Sequence, residues 1–226
     1  MTTLRVVSYN IHSRRDDQAA LARVVRALNP DVLFVQEAAR RFRWRHHCAE
    51  LARGTGLYYA SGGLPGLGNL ILVSLRVSVH EAWGMRFPLT PGRHMRGAAF
   101  ARCSVGGRPF VAAGTHLSTD DAERPSQAVL LAAALSELNG GPLLFGADFN
   151  ETDGGSAWRT LADGRIDPGA AEQAHTYSVG NPRRRIDGLL IDPECAVSGY
   201  QVVTTPDTAL ASDHFPVYAE VSLPER

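Results

Sequence analysis

Residues 142–150 read Pro142-Leu143-Leu144-Phe145-Gly146-Ala147-Asp148-Phe149-Asn150, a short apolar run passing straight into two polar side chains. The run from Leu143 to Phe145 has the composition of a buried strand. Alternation along an extended backbone sends Asp148 and Asn150 to one side and turns Phe149 the other way, into the core. Such a run ordinarily ends in a solvated turn. Here it ends in an acceptor-only carboxylate and a carboxamide that both donates and accepts.

The same pattern recurs along the chain. Residues 4–11 are β-rich and close on Asn10-Ile11-His12, with alternation aiming Ser8, Asn10 and His12 to one side. Residues 16–28 place Ala20, Leu21, Val24, Val25 and Leu28 at helical spacing before the Asn29-Pro30 stop. Residues 31–35 form a second buried strand, ending in Gln36-Glu37. Residues 40–53 read as a helix rich in Arg and His, and residues 62–68 as a glycine-rich loop. Strands are expected over residues 69–74, 77–87, 97–105 and 109–114, with a basic loop at residues 90–96. After Thr115-His116-Leu117 come a helix at 122–138, the Asp148 strand and a helix at 154–162. Strands at 165–167, 186–191, 196–203 and 214–222 close the chain. Few helices, many β-runs and two αβ units favour two packed sheets with helices outside, in one domain spanning residues 1–226.

Composition narrows the class. Lys and Arg together number 23, as do Asp and Glu, so no global field draws the chain onto nucleic acid or anionic membrane. Cys48, Cys103 and Cys195 are odd in number and far apart, which suits buried free thiols in a reducing compartment. No apolar run reaches the ~18 residues of a membrane span. The N-terminus shows no basic segment followed by an apolar one. The expectation is a soluble cytoplasmic protein with no obligate protein partner evident.

The chemistry lies at the strand ends: Asn10, Glu37, His116, Asp148 with Asn150, Asp187, and Asp213 with His214. Strands delivering polar groups to one rim bring these to one site. A carboxylate such as Glu37, with amide and water oxygens, suits a hard divalent cation, and Mg²⁺ takes one or two protein carboxylates plus a substrate phosphate. An oxygen-rich, sulfur-free set argues against structural zinc. Asp187 and His214 suit a carboxylate–imidazole pair.

These motifs resemble the endonuclease/exonuclease/phosphatase superfamily, which includes pancreatic-type DNase, apurinic endonucleases, neutral sphingomyelinases, inositol polyphosphate 5-phosphatases and deadenylases. The resemblance rests on Ser8-Tyr9-Asn10-Ile11, Gln36-Glu37, Gly68-Asn69-Leu70-Ile71-Leu72, Thr115-His116-Leu117, Gly146-Ala147-Asp148-Phe149-Asn150, Arg185-Ile186-Asp187 and Ser212-Asp213-His214, in family order. It implies a DNase I-like α/β fold, a four-layer α/β/β/α sandwich of two packed mixed sheets with outer helices. It also implies that Glu37, with Asn10 and Asp213, ligates Mg²⁺, with Mn²⁺ as a substitute. Asp148 and Asn150 would orient and activate the attacking water. His214, held by Asp187, would contact the scissile phosphate. His116 stands where the DNase-like and sphingomyelinase-like branches carry a second catalytic histidine. The apurinic endonuclease branch has a tyrosine there, and an acid at the position of His12. Asn69 stands where pancreatic-type DNase carries a glutamate.

The implied reaction is in-line displacement at phosphorus, with the developing charge neutralised by fixed groups. Asn10, Asn69, Arg93, Arg96 and Arg184 are the expected substrate contacts, the arginines through forks suited to phosphate. Two histidines and no lysine in the motifs favour a phosphodiester, nucleic acid among the possible partners. If the arginines fold inward, a phosphomonoesterase or lipid-headgroup phosphoesterase is the alternative. A non-catalytic binding module is disfavoured, because every motif residue that the chemistry needs is present. Trp44, Trp83 and Trp158 are scattered and expected to be half-buried, so they make no exposed aromatic loop.

Overall fold

The computed structural model describes residues 2–172 and 174–225. Its elements in chain order are β1 (Thr2–Asn10), α1 (Gln18–Leu28), β2 (Val32–Gln36), α2 (Trp44–Thr55), β3 (Tyr58–Gly62), β4 (Leu70–Val73), β5 (Val77–Arg86) and β6 (Gly97–Val105). They continue with β7 (Arg108–His116), α3 (Arg124–Ser136), β8 (Leu143–Asp148), α4 (Ser156–Ala162), β9 (Asp187–Ile191), β10 (Ala196–Val202), α5 (Pro206–Ala211) and β11 (Val217–Leu223). One sheet runs β10-β11-β1-β2-β4-β3 and the other β5-β6-β7-β8-β9. Each contains one parallel pair joined through a helix, β1 with β2 and β7 with β8. The remaining pairs are antiparallel.

Alternation explains the layering. In β1, Val6 joins the core between the sheets while Val7 and Tyr9 join an outer core under α1 and α2. In β2, Phe34 faces inward between Leu33 and Val35, which face outward. In β8, Leu144 points to the inter-sheet core, while Leu143, Phe145 and Ala147 pack under α3 and α4. These strands are buried on both faces, so their runs are continuously apolar rather than alternating. Three cores separate four layers, helix, sheet, sheet, helix, as the family resemblance implied. The sheets meet closely where Gly114 and Gly146 pair across β7 and β8. A Cβ on Gly146 would sit 2.3 Å from Phe34 Cδ2, so the ring lies directly on glycine backbone.

Local signals set several boundaries. Asp17 caps α1 by accepting from the backbone N–H groups of Ala19 and Ala20, and Asn29 ends it in the left-handed region. The expected helix over residues 40–53 begins only at Trp44, because Arg43 has φ +56 and residues 40–43 belong to a loop. Residues 165–167 make a single bridge, Ile166 with Ile191, rather than a strand. The final strand starts at Val217, leaving His214 in the preceding turn. β3 and α5 were not anticipated. His12 does not continue the β1 alternation: His12, Ser13 and Arg14 take φ +44, +53 and +59, a left-handed turn.

Cys48, Cys103 and Cys195 are buried free thiols, and burial pushes them up to about 11, 12 and 12. Trp158 is fully buried against Phe149, whereas Trp44 and Trp83 are partly exposed. Among the described residues no helix is long and apolar enough to cross a membrane.

Candidate active site

The sheet geometry collects the strand-end residues. β1 and β2 end side by side at Asn10 and Gln36, and β7 and β8 at His116 and Asp148. β9 runs antiparallel to β8 and starts at Asp187, directly opposite Asp148. The turn before β11 is fastened to the end of β1, where Ser212 Oγ donates to the Asn10 carbonyl (2.7 Å) and accepts from His214 N–H (3.2 Å). Both sheets therefore open on one rim, and the Asn10–Asp148 hydrogen bond (2.8 Å) joins them there.

Asp148 is the hub. It is 1% exposed, and its Oδ2 accepts from Asn10 Nδ2, with His116 Nε2 at 3.2 Å and His214 Nε2 at 4.0 Å. Its Oδ1 accepts from Asn150 N–H (2.9 Å), and the Asn150 amide donates to the Leu117 carbonyl (2.9 Å). Asn150, at φ +54, thus turns back to hold the carboxylate instead of continuing the strand. His214 Nδ1 is 2.9 Å from Asp187 Oδ2, so the buried carboxylate fixes the ring's orientation and proton.

The two imidazoles are driven apart. Burial pushes His116 from 6.5 down to about 3, opposed by Asp148 and reinforced by Arg96. Burial also opposes charge on His214, but Asp187, Asp148 and Asp213 together outweigh it and raise that ring to about 10. The surroundings thereby favour the neutral form of His116 and the protonated form of His214, the arrangement that separates an acceptor from a donor within a site.

Glu37 follows β2 at φ +61 and projects into an open cavity of about 1030 Å³, where His116, Asp213, Arg40 and Arg96 are also found. Ser13 Oγ, on the left-handed turn, donates to Glu37 Oε2 (2.7 Å). Asp213 Oδ1 is buried without a hydrogen-bond partner, 3.8 Å from His12 Nδ1 and 4.0 Å from His214 Nε2. Glu37 and Asp213 line the same cavity, one with an unsatisfied carboxylate oxygen, and this sulfur-free oxygen set fits a hard divalent cation, whereas the Asn10 amide oxygen already accepts from His12 N–H (3.1 Å). Separately, Asp148, Asp187 and His214 bring one ligand atom each within 4.8 Å of one another.

The expected substrate contacts diverge. Arg96 enters the cavity, where burial lowers its guanidinium and Asp148 and Glu37 oppose that shift. Arg93 instead pairs with Asp120, and Arg184 is exposed with its guanidinium 5.1 Å from the Tyr177 ring. The Asn69 amide nitrogen is taken up by the carbonyls of Gly66 and Gly97, both at 2.8 Å, tying a loop to β6. Residues outside the expected set also belong to the site, with Arg14, Arg15 and Arg41 in the cavity lining. Arg40 lines the cavity, Ser13 holds Glu37, and the Tyr177 ring lies 4.7 Å from that of His214. Arg40 was hidden by the misplaced helix start. Tyr177 lies in a stretch with no periodic signal.

No curated protein matches the chain. Among solved structures, an endonuclease/exonuclease/phosphatase family protein from Bacteroides thetaiotaomicron superposes with TM-score 0.83 at 17% identity, over 98% of this chain and 95% of that one. A mannosyl-6-phosphatase from the same organism gives TM-score 0.80 at 18% identity, over 97% of this chain and 100% of that one. TDP2 of D. rerio, complexed with a single-strand DNA product, gives 0.79 at 19% identity, over 98% and 100%. These likenesses establish the fold. A model of the Endonuclease/Exonuclease/phosphatase family matches residues 7–214, from the end of β1 to His214, and the chain belongs to that family, whose members are generally phosphoester hydrolases.

Proposed function

We propose that the chain is a divalent-cation-dependent phosphodiesterase that cleaves a P–O bond by in-line attack of water. The observation that carries this reading is the Asp148 hub, with His116 Nε2 at 3.2 Å on one side, His214 Nε2 at 4.0 Å on the other, and Asp187 holding the far nitrogen of His214. Asp148, held by Asn10 and Asn150, orients the attacking water and accepts its proton. His214, clamped by Asp187, presents its Nε2 proton to a non-bridging phosphoryl oxygen and stabilises the charge that develops there. His116, with its Nε2 3.2 Å from Asp148 Oδ2 and its charged form disfavoured by burial, completes the polar wall. Glu37 and Asp213, with Asn10, would hold Mg²⁺, which supplies Lewis-acid neutralisation of the phosphoryl and leaving oxygens.

A diester carries one charge and needs little beyond this set. Of the three arginines expected at the substrate, only Arg96 lines the cavity, while Arg93 pairs with Asp120 and Arg184 is exposed over the Tyr177 ring. The expected clamp of three arginines is therefore not assembled, which supports a diester over a monoester. Arg14, Arg15, Arg40 and Arg41 also line the cavity with Arg96, and these guanidinium groups stand on the side of a monoester, since together they begin a clamp. Structures of this fold include both a phosphatase and a protein holding a single-strand DNA product, so the fold accommodates either substrate class. Glu37→Gln tests the cation assignment. We expect weaker Mg²⁺ binding by calorimetry and turnover reduced about 10²-fold at limiting Mg²⁺. A variant with wild-type Mg²⁺ affinity and rate overturns the assignment of Glu37.

A further inference from the structure

Three loops contribute to one side of the cavity: residues 37–43 after β2, residues 63–69 between β3 and β4 through Leu67 and Gly68, and residues 87–96 between β5 and β6 through His94 and Arg96. They are fastened together. Arg40 Nη1 donates to the carbonyls of Leu67 (3.1 Å) and Met95 (2.8 Å). The Trp44 ring lies on Gly63, where an added Cβ would meet Trp44 Cε3 at 2.5 Å. Each loop pushes a large apolar side chain into water: Phe42 is 88% exposed, Leu64 37%, Leu89 61% and Met95 47%. Phe42 is the most exposed large hydrophobic side chain among the described residues. Arg41 and Arg43 flank it, exposed and without an ion pair among the described residues, and Arg45 lies over Trp44 at 4.5 Å.

A molecule with equal numbers of acidic and basic residues has here a local concentration of unpaired cations around apolar tips. That combination is what an interfacial lipid site presents: apolar side chains at the acyl boundary and guanidinium groups at the level of lipid phosphates. We propose that this rim is a membrane-docking surface that seats on an anionic bilayer, with Phe42, Leu64, Leu89 and Met95 at the interface and Arg41 and Arg43 on headgroup phosphates. Single-stranded nucleic acid fits less well. A base stacks on Phe42, but Leu64, Leu89 and Met95 offer neither a ring to a base nor a charge to a phosphate, whereas a bilayer accepts all four. Docking places the cavity mouth against the headgroup layer. The catalytic consequence, access to a lipid phosphoester, rests on the phosphoesterase reading, while the docking itself does not.

Sedimentation with phosphatidylcholine vesicles and with mixed phosphatidylcholine–phosphatidylserine vesicles tests the proposal without turnover, so its outcome is independent of the reaction. The protein is expected on the mixed vesicles and in the supernatant with phosphatidylcholine alone, with release as salt is raised. Phe42→Ser should weaken partitioning about tenfold, and Arg43→Gln about fivefold. Arg43→Gln should leave turnover of a soluble diester unchanged. Wild-type protein that ignores the mixed vesicles overturns the proposal, as does a folded Phe42→Ser variant that binds them as tightly as wild type. Binding of a single-stranded oligonucleotide that requires Phe42, without vesicle binding, overturns it in favour of nucleic acid.

Discussion

The behaviour of single side chains in this site follows from which strand end carries them and which carboxylate they meet. His116 and His214 both approach Asp148 Oδ2, yet only His214 has a second buried carboxylate, Asp187, at its other nitrogen. In the metal-free protein, histidine ring NMR should therefore show His214 as imidazolium and His116 as neutral imidazole at neutral pH, given values near 10 and 3. The linkage signs are opposite. The folded state binds a proton at His214 more tightly than an unfolded chain, so that stability is fully present below about 6.5 and is lost as pH rises toward 10. His116 contributes stability above about 6.5 that is lost as pH falls toward 3. A neutral His214 at neutral pH would contradict the assignment of donor and acceptor. Asn10, His116, Asp148, Asp187 and His214 were legible as a group because each terminates or adjoins an apolar run. Arg40, Ser13 and Tyr177 were not, since their loops' paths follow from tertiary contacts. Charge alone also failed to say where an arginine points, as the pairing of Arg93 with Asp120 illustrates.

Elements here are set by caps and by faces. α1 is held at its start by Asp17, whose carboxylate accepts two backbone N–H groups, and on its side by Ala20, Leu21, Val24 and Val25. Asp17→Ala should cost about 1 kcal/mol in urea unfolding without moving any site distance. An unchanged midpoint would mean that burial of the apolar face alone fixes that helix. The elements that the sequence concealed each have a physical reason. α2 starts late because Arg43 enters the left-handed region, which no helical spacing announces. β3 carries a register shift between Tyr59 and Ser61 and ends at Gly62 with φ +100, so its alternation is broken. α5 has only six residues, although Thr205 followed by Pro206 is a readable start signal, and the structure shows the Thr205–Thr208 capping box. The exposed rim was missed for a different reason: the aromatic residue that faces water is Phe42, not a tryptophan.

At the scale of the molecule, two sheets stacked on glycine and Phe34 bring the rims of both sheets to one cavity. Gly146→Ala drives a methyl group to 2.3 Å from the fully buried Phe34 ring and should destabilise the fold by about 1–3 kcal/mol. Phe34→Leu in the same chain should recover part of that loss. Indifference to Gly146→Ala would place the sheets further apart than described. The layered fold was legible because runs buried on both faces require covering layers on both sides, and the ordered motifs matched one family. Substrate was not legible, because it depends on loops that the core motifs do not determine. The reaction proposed for this rim is hydrolysis of a phosphodiester with a divalent cation. Turnover of bis(p-nitrophenyl) phosphate and of p-nitrophenyl phosphate, each in Mg²⁺ and again in EDTA, tests it most directly. The diester should be cleaved faster than the monoester in Mg²⁺, and EDTA should abolish both. Equal rates in EDTA, or a monoester cleaved while the diester is untouched, would contradict it.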